Sequence, residues 1–255
     1  MIHEKSGKLY VGTSNIVLPT TKSFFPEAYR QTSRLHYYGS LFNSLEVNSS
    51  FYKTPLPSTF LKWSLDVPEN FRFTLKLSRE ITHAKNLEYR NDVADGFLKA
   101  ATYIGQKKGC ILLQFPGKIT FEYFNKVEEM LSILNNSEHF SEWKTAVEFR
   151  NPSWYSSETF ELMDEYHASI VLHDMPKAKN IQINKKASFV YVRFHGPAGD
   201  YRGSYNDTFL QNEAERIKTW TKAGKDVYVY FNNTIGHAFE NALALVKLFR
   251  IINNH

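Results

Sequence analysis

Residues 189–195 read Phe189-Val190-Tyr191-Val192-Arg193-Phe194-His195. Two patterns interleave there. Val190, Val192 and Phe194 are apolar, whereas Tyr191, Arg193 and His195 turn polar toward the C-terminal end. Successive side chains of a strand point to opposite faces, so one face is apolar throughout and the other ends in charge. A barrel strand has this form, because helices cover its outer face and its inner face opens at one rim.

The alternation recurs. Strand-like runs rich in Val, Ile, Phe, Tyr or Leu occupy 8–13, 43–48, 71–77, 110–115, 145–150, 169–174, 189–195 and 227–232. Helical patterns occupy 34–42, 57–67, 92–106, 121–134, 157–166, 207–223 and 238–251, with Ser58 read as a cap beside Pro57. The stretch 175–186 shows no helical pattern and reads as a basic loop bearing Lys177, Lys179, Lys185 and Lys186. No linker or solenoid-period repeat is present. The spacing predicts a single TIM-barrel-like (β/α) domain over 1–255, with eight strands and the helix after strand six missing or replaced by a loop. A doubly wound open sheet competes. It usually has five or six strands, and no Gly-rich phosphate loop follows the first strand here.

The 255 residues carry 31 Lys+Arg against 26 Asp+Glu, a net charge of +5, with 42% hydrophobic and 22% charged residues. These values fit a globular chain and exclude a disordered or collagen-like one. No apolar run reaches the roughly 18 residues of a membrane span. A lone cysteine, Cys110, excludes an internal disulfide and reads as a small core residue. With no apolar N-terminal stretch, it points to a reducing cytoplasm.

Strand parity locates a site. Setting the apolar residues outward leaves Glu46, Asn48, Lys76, Gln114, Glu148, Arg150, Arg193, His195 and Asn232 facing in near the strand C-termini, with either His173 or Asp174 from the sixth strand. Barrel enzymes carry their active sites at that rim. Glu148-Phe149-Arg150 sets an acid-base candidate two residues from a fork for carboxylate or phosphate; a mutual ion pair is the bland alternative. His195, before Gly196-Pro197, reads as a proton shuttle or as a hydrogen-bonded structural histidine. Asn232 suits sugar or base edges, and equally a turn. Trp154 reads as a stacking lid or a core-edge aromatic. Tyr201 and Tyr205 sit in a Gly-rich loop able to close over a ligand, and His83 lies near the rim. Glu46, Glu148, Asp174, His173 and His195 are metal-ligand types, but none has tight spacing, so a divalent metal is the minor reading; no organic cofactor motif occurs.

The blocks Phe42-x-x-x-Glu46-Val47-Asn48-x-x-Phe51-Tyr52, Phe71-x-Phe73 with Lys76 and Ile81-Thr82-His83, Leu112-x-Gln114-Phe115-Pro116, Ala146-Val147-Glu148-Phe149-Arg150 with Ser153-Trp154, Tyr191-Val192-Arg193-Phe194-His195-Gly196 and Val227 to Thr234 span nearly the whole chain. Jointly they resemble the YecE-like family, the domain of unknown function 72. The resemblance implies a TIM-barrel-like fold and assigns no activity. One departure is that Asn15-Ile16 follows Gly12-Thr13-Ser14 where members usually have Gly-Trp.

The leading expectation is an enzyme acting on a small polar, anionic substrate, with phosphoester or sugar-phosphate chemistry foremost. Glu46, Glu148, His195 and Asp174 are the catalytic candidates. Lys76, Arg150 and Arg193 would bind the anion, and Asn48, Gln114 and Asn232 would orient it, with Tyr52, His83, Trp154, Tyr201 and Tyr205 around them. One alternative is a single-stranded nucleic-acid module, drawing on a pI near 9.0, the basic loop and Tyr52, Trp154, Tyr201 and Tyr205 as stacking platforms. The other is a non-catalytic scaffold whose polar ring is fully self-paired.

Overall fold

In the computed structural model, which describes residues 6–253, strands and helices alternate along the chain. Among the described residues one sheet has the order β1 (Leu9–Thr13), β9 (Asp226–Phe231), β8 (Phe189–Phe194), β7 (Leu172–His173). The other has the order β2 (Ser44–Val47), β3 (Arg72–Lys76), β4 (Lys108–Phe115), β5 (Lys144–Phe149), β6 (Ser169–Ile170). Every pairing within them is parallel.

The continuous eight-strand ladder expected from the sequence is therefore corrected to two parallel sheets, and both interruptions have physical causes. The sixth strand divides at Val171: Ile170 pairs with Val147 in one sheet and Leu172 with Val192 in the other. Between β1 and β2, side chains take up the backbone groups. Asn43 Oδ1 accepts from Val11 N–H (2.9 Å) while its Nδ2 donates to Leu9 O (2.8 Å). Tyr38 OH accepts from Thr13 N–H (2.7 Å) and donates to Ser44 O (3.2 Å). Direct pairing remains only at the Ser14–Glu46 bridge, beside which Asn15 N–H donates to Glu46 O (2.7 Å). Gly12 lies in this seam, where a Cβ would stand 2.0 Å from Ser44 O; the close approach requires glycine.

Parity is obeyed. One apolar cluster gathers Leu45, Val47, Phe73, Leu75, Ile111, Leu113, Val147, Val190, Val192, Val227 and Val229 with the helices. A separate cluster gathers Tyr10, Cys110, Leu112, Ala146, Val171, Phe189, Tyr191, Tyr228 and Tyr230 from both sheets. The two sheets thus share an interior, and Tyr230 OH ties them, bonded to Ser44 Oγ (2.5 Å) and Thr74 Oγ1 (2.8 Å).

The main covering helices are α1 (Arg34–Leu41), α3 (Pro57–Leu65), α5 (Asn91–Ala101), α6 (Phe124–Asn136), α7 (Ser157–Glu165), α8 (Asp207–Lys222) and α9 (Ala238–Asn253), with one-turn α2 (Ser49–Tyr52) and α4 (Arg79–Thr82) at strand ends. Ser33, Ser156 and Asn206 cap α1, α7 and α8 by accepting a backbone N–H. Ser58 does not cap α3. The cap position is Leu56, and Pro57, lacking an N–H, opens the helix. Between β7 and β8 no helix is found among the described residues, and Lys177, Lys179, Lys185 and Lys186 there are exposed. Among the described residues no helix is long and apolar enough to cross a membrane.

Candidate functional site

The residues that parity turns inward meet beyond the strand C-termini. Arg193, from β8, is 1% exposed. Its Nη2 donates to Glu46 Oε1 (2.8 Å) on β2 and its Nη1 to Glu148 Oε2 (2.6 Å) on β5. Ser14 Oγ and Tyr191 OH donate to the Glu46 oxygens at 2.6 Å each. Arg150 Nε donates to Glu148 Oε1, and its Nη2 lies 2.9 Å from His195 Nε2. A guanidinium only donates, so Nε2 accepts and the ring proton sits on Nδ1, 3.2 Å from Asp174 Oδ1. Asp174 also accepts from His195 N–H (2.8 Å) and from Tyr205 OH, which itself accepts Gly196 N–H (2.6 Å). One unbroken chain of polar contacts thus runs from Glu46 to Tyr205.

Burial alone would raise the Glu46 and Glu148 carboxyls, but the guanidinium charges outweigh it. Arg193 holds Glu46 below the usual carboxylate range, and Arg150 with Arg193 holds Glu148 well below it. For Asp174, burial is outweighed by the His195 and Tyr205 hydrogen bonds, and its pKa falls. Burial depresses His195 against the upward pull of Asp174, and takes His173 down to about 4. At neutral pH the carboxylates are ionised and both imidazoles neutral. The oxygens of Glu46 and Glu148 are already engaged by these donors.

The rim differs from this paired interior. Lys76 Nζ donates to Gln114 Oε1 (2.9 Å) and lies 4.0 Å from the centre of the Phe51 ring. Among the described residues no carboxylate lies within ion-pair distance of it. Burial, then Arg193, lowers its pKa to about 8. His83 stands edge-on to Phe51 at 4.7 Å, its Nδ1 3.0 Å from Thr82 Oγ1. Burial takes His83 to about 4, reinforced by four cations: Lys76, Lys118, Arg79 and Arg150. Asn48 Oδ1 is buried with no hydrogen-bond partner among the described residues.

The other predicted residues divide. Asn232 is buried at the end of β9, its N–H donating to Phe194 O (2.7 Å). Tyr201 packs edge-on against His195 at 5.8 Å, with φ of 67°. Tyr52 is 69% exposed beside Phe51. Two readings are corrected. Trp154 is not a lid: it is fully buried, stacked on Phe149 at 4.1 Å, with Nε1 donating to Ile119 O (2.8 Å), and no face is left for a ligand. Tyr205 is buried and bonded to Asp174, which makes it a positioning residue. Both His173 and Asp174 reach the site. His173 shares the inward parity of Val171 and is bonded to Tyr155 OH (2.9 Å) and Phe149 O (3.1 Å), while Asp174 lies past the strand end. Among the described residues no group of three or more His, Cys, Asp or Glu is placed to hold a metal ion.

The family described as "Protein of unknown function DUF72" matches residues 10–255. The chain belongs to the DUF72 family. It is similar to UPF0759 protein YunF of Bacillus subtilis strain 168, 26% identical over 261 residues, covering 90% of this chain and 91% of that protein. It is likewise similar to UPF0759 protein YecE of Escherichia coli K12, 26% identical over 122 residues, 48% of this chain and 43% of that protein. Crystal structures of DUF72 proteins share the fold. That from Enterococcus faecalis V583 has TM-score 0.75 at 22% identity (98% of this chain, 99% of that one), and that from Thermotoga maritima MSB8 has TM-score 0.74 at 24% identity (97% and 100%).

Within this DUF72 chain, sequence reasoning missed Ser14, Tyr191 and Phe51 as site residues. Ser14 was accessible, because it continues the inward parity of Gly12. Asn15 explains the departure from the family pattern. It sits at φ 61°, a left-handed conformation that Asn tolerates after Gly, and its Oδ1 accepts Asn48 N–H (3.0 Å). Asn15 thus makes the left-handed turn and ties it to Asn48.

Proposed function

We propose that the two sheets are halves of one TIM-barrel-like cylinder, and that its mouth binds a small phosphorylated or otherwise anionic polar molecule and acts on it by general acid–base chemistry. The observation that carries this is the contrast between interior and rim. Glu46, Arg193, Glu148 and Arg150 neutralise one another, whereas Lys76, Lys118 and Arg79 add positive charge that bears on His83, with Lys76 held against an aromatic face. A cationic rim over a low-dielectric wall concentrates anions. In this reading Lys76, Arg150 and His83 receive the anion. Gln114, Asn48 and Asn232 orient the rest of the molecule, and Tyr52 and Tyr201 flank it. His195, oriented by Asp174, moves the proton once the anion draws Arg150 from Nε2. Glu46 and Glu148 set the arginines through a buried network, with Arg193 as its centre.

The scaffold alternative accounts for the interior and leaves the rim unexplained. The nucleic-acid alternative loses two of its four stacking aromatics, since Trp154 and Tyr205 are buried. The chain's single cysteine, Cys110, keeps the cytoplasm as the proposed setting. Thermal-shift screening of phosphorylated and carboxylated metabolites on wild type and Lys76→Met tests the reading. A stabilising anion that loses its effect in the variant supports it; no stabilising anion, or one indifferent to Lys76→Met, overturns it.

A further inference from the structure

Among the described residues no helix connects β7 to β8, and α8 stands over the outer faces of Leu172, Val192 and Phe194. A cavity of about 80 Å³ lies there, walled by Leu172, Val192 and Phe194 from the strands and by Phe209 and Glu213 from α8. Glu213 is 7% exposed. Its Oε1 accepts from Arg216 Nη1 (2.7 Å), while its Oε2 is buried with no hydrogen-bond partner among the described residues. Arg216 also lines the cavity, but it is committed to Oε1 and to the Trp220 ring, 5.0 Å away, and does not supply Oε2. Lys179 lines the outer end and is exposed, without a bond to Glu213 among the described residues. A larger cleft of about 320 Å³ shares Asp174, Lys179 and Phe209 with the cavity and gives a way in.

A buried carboxylate oxygen without a partner, set beside apolar walls, selects its ligand. A second carboxylate or a phosphate would oppose Glu213, and a purely apolar molecule would leave Oε2 unmatched. A charged N–H donor makes the strongest bond such an oxygen can accept. We propose that this cavity is a second ligand site, taking a short-chain primary ammonium that donates to Glu213 Oε2 with its hydrocarbon part between Leu172, Val192, Phe194 and Phe209. The cavity is roughly half the size of one that accepts benzene, whose six carbons scale to about three non-hydrogen atoms here, so the ligand is limited to the nitrogen and about two carbons. Asp174 borders the cavity and also holds His195, so the site stands back to back with the mouth. It rests on different residues and does not depend on the anion reading.

The test is titration of the full-length protein with ethylammonium chloride, ethanol and sodium chloride, following the methyl resonances of Leu172 and Val192. The ammonium is expected to give saturable shifts in wild type, with ethanol roughly ten-fold weaker and sodium chloride without effect. Glu213→Gln, close to isosteric, should weaken the ammonium at least about ten-fold while leaving ethanol unchanged. Absence of saturable shifts, equal binding of alcohol and ammonium in wild type, or an unaltered ammonium titration in Glu213→Gln overturns the proposal. The wild-type comparison stands without any variant.

Discussion

Replacing Arg193 by Met tests the buried network most severely. The side chain keeps an unbranched stem but loses the guanidinium that joins β8 of one sheet to Glu46 and Glu148 of the other. Glu148 retains Arg150, whereas Glu46 keeps only the hydroxyls of Ser14 and Tyr191. Removing one partner of a buried pair costs about 3–5 kcal/mol. At about 2–4 °C per kcal/mol for a chain of this size, the melting temperature should fall by about 6–20 °C. The deficit has a predictable pH dependence. In wild type the folded pKa of Glu46 lies below its unfolded value of about 4.3, so its stabilisation is full above that pH and is lost as pH falls through the folded pKa. In the variant burial is opposed only by the Ser14 and Tyr191 hydroxyls, and the folded pKa rises above about 4.3. The penalty is then full above the raised pKa and fades as pH falls toward the unfolded value. Urea unfolding at pH 7 and near pH 4.5 measures both effects, and Glu46→Gln added to Arg193→Met should recover part of the loss. A deficit below about 1 kcal/mol at pH 7, or one that neither shrinks in acid nor responds to Glu46→Gln, would refute the assignment of Arg193 as the ion bridging the sheets.

Lys76, with a folded pKa of about 8 against about 10.4 unfolded, binds fewer protons when folded between those values, so wild-type stability should rise from pH 8 to 10. Lys76→Met should flatten that part of the profile in denaturant titrations, and an unchanged slope counts against the buried ammonium. Trp154→Ala should cost about 3–5 kcal/mol, as a core truncation does; if it instead alters ligand response with no loss of stability, Trp154 faces the mouth after all. Asn15→Ala should cost about 1–2 kcal/mol more than Asn15→Gly in thermal melts, because only the former strains a left-handed backbone. Equal melting temperatures would remove that account.

Most of the architecture was legible because strand parity is a local signal. Val190, Val192 and Phe194 alternate with Tyr191, Arg193 and His195, and the structure sorts the inner and outer apolar residues into separate clusters. The sheet interruptions were not legible. They depend on Asn43 and Tyr38 meeting backbone groups of β1, contacts between residues 25 to 34 positions apart that leave no periodic trace. The polar ring was likewise found by parity, while its internal pairing was not, since sequence cannot tell a carboxylate facing substrate from one facing Arg193. The choice between lid and core for Trp154 was open in the sequence for a related reason. An aromatic just past a strand turns into the core or out over the mouth according to loop geometry, here a 3-10 turn from Pro152 to Trp154. Tyr205 follows the same logic, its Gly-rich loop folding back to Asp174.

The rim's affinity for anions is read most directly at His83, whose imidazole senses Lys76, Lys118, Arg79 and Arg150 together. Its ring protons should be followed by NMR against pH, with and without saturating inorganic phosphate. The free protein should titrate near pH 4, and bound phosphate, by offsetting the four cations, should carry that midpoint upward toward the ordinary histidine range. A midpoint unmoved by phosphate, sulfate or any sugar phosphate would contradict an anion seat at the mouth.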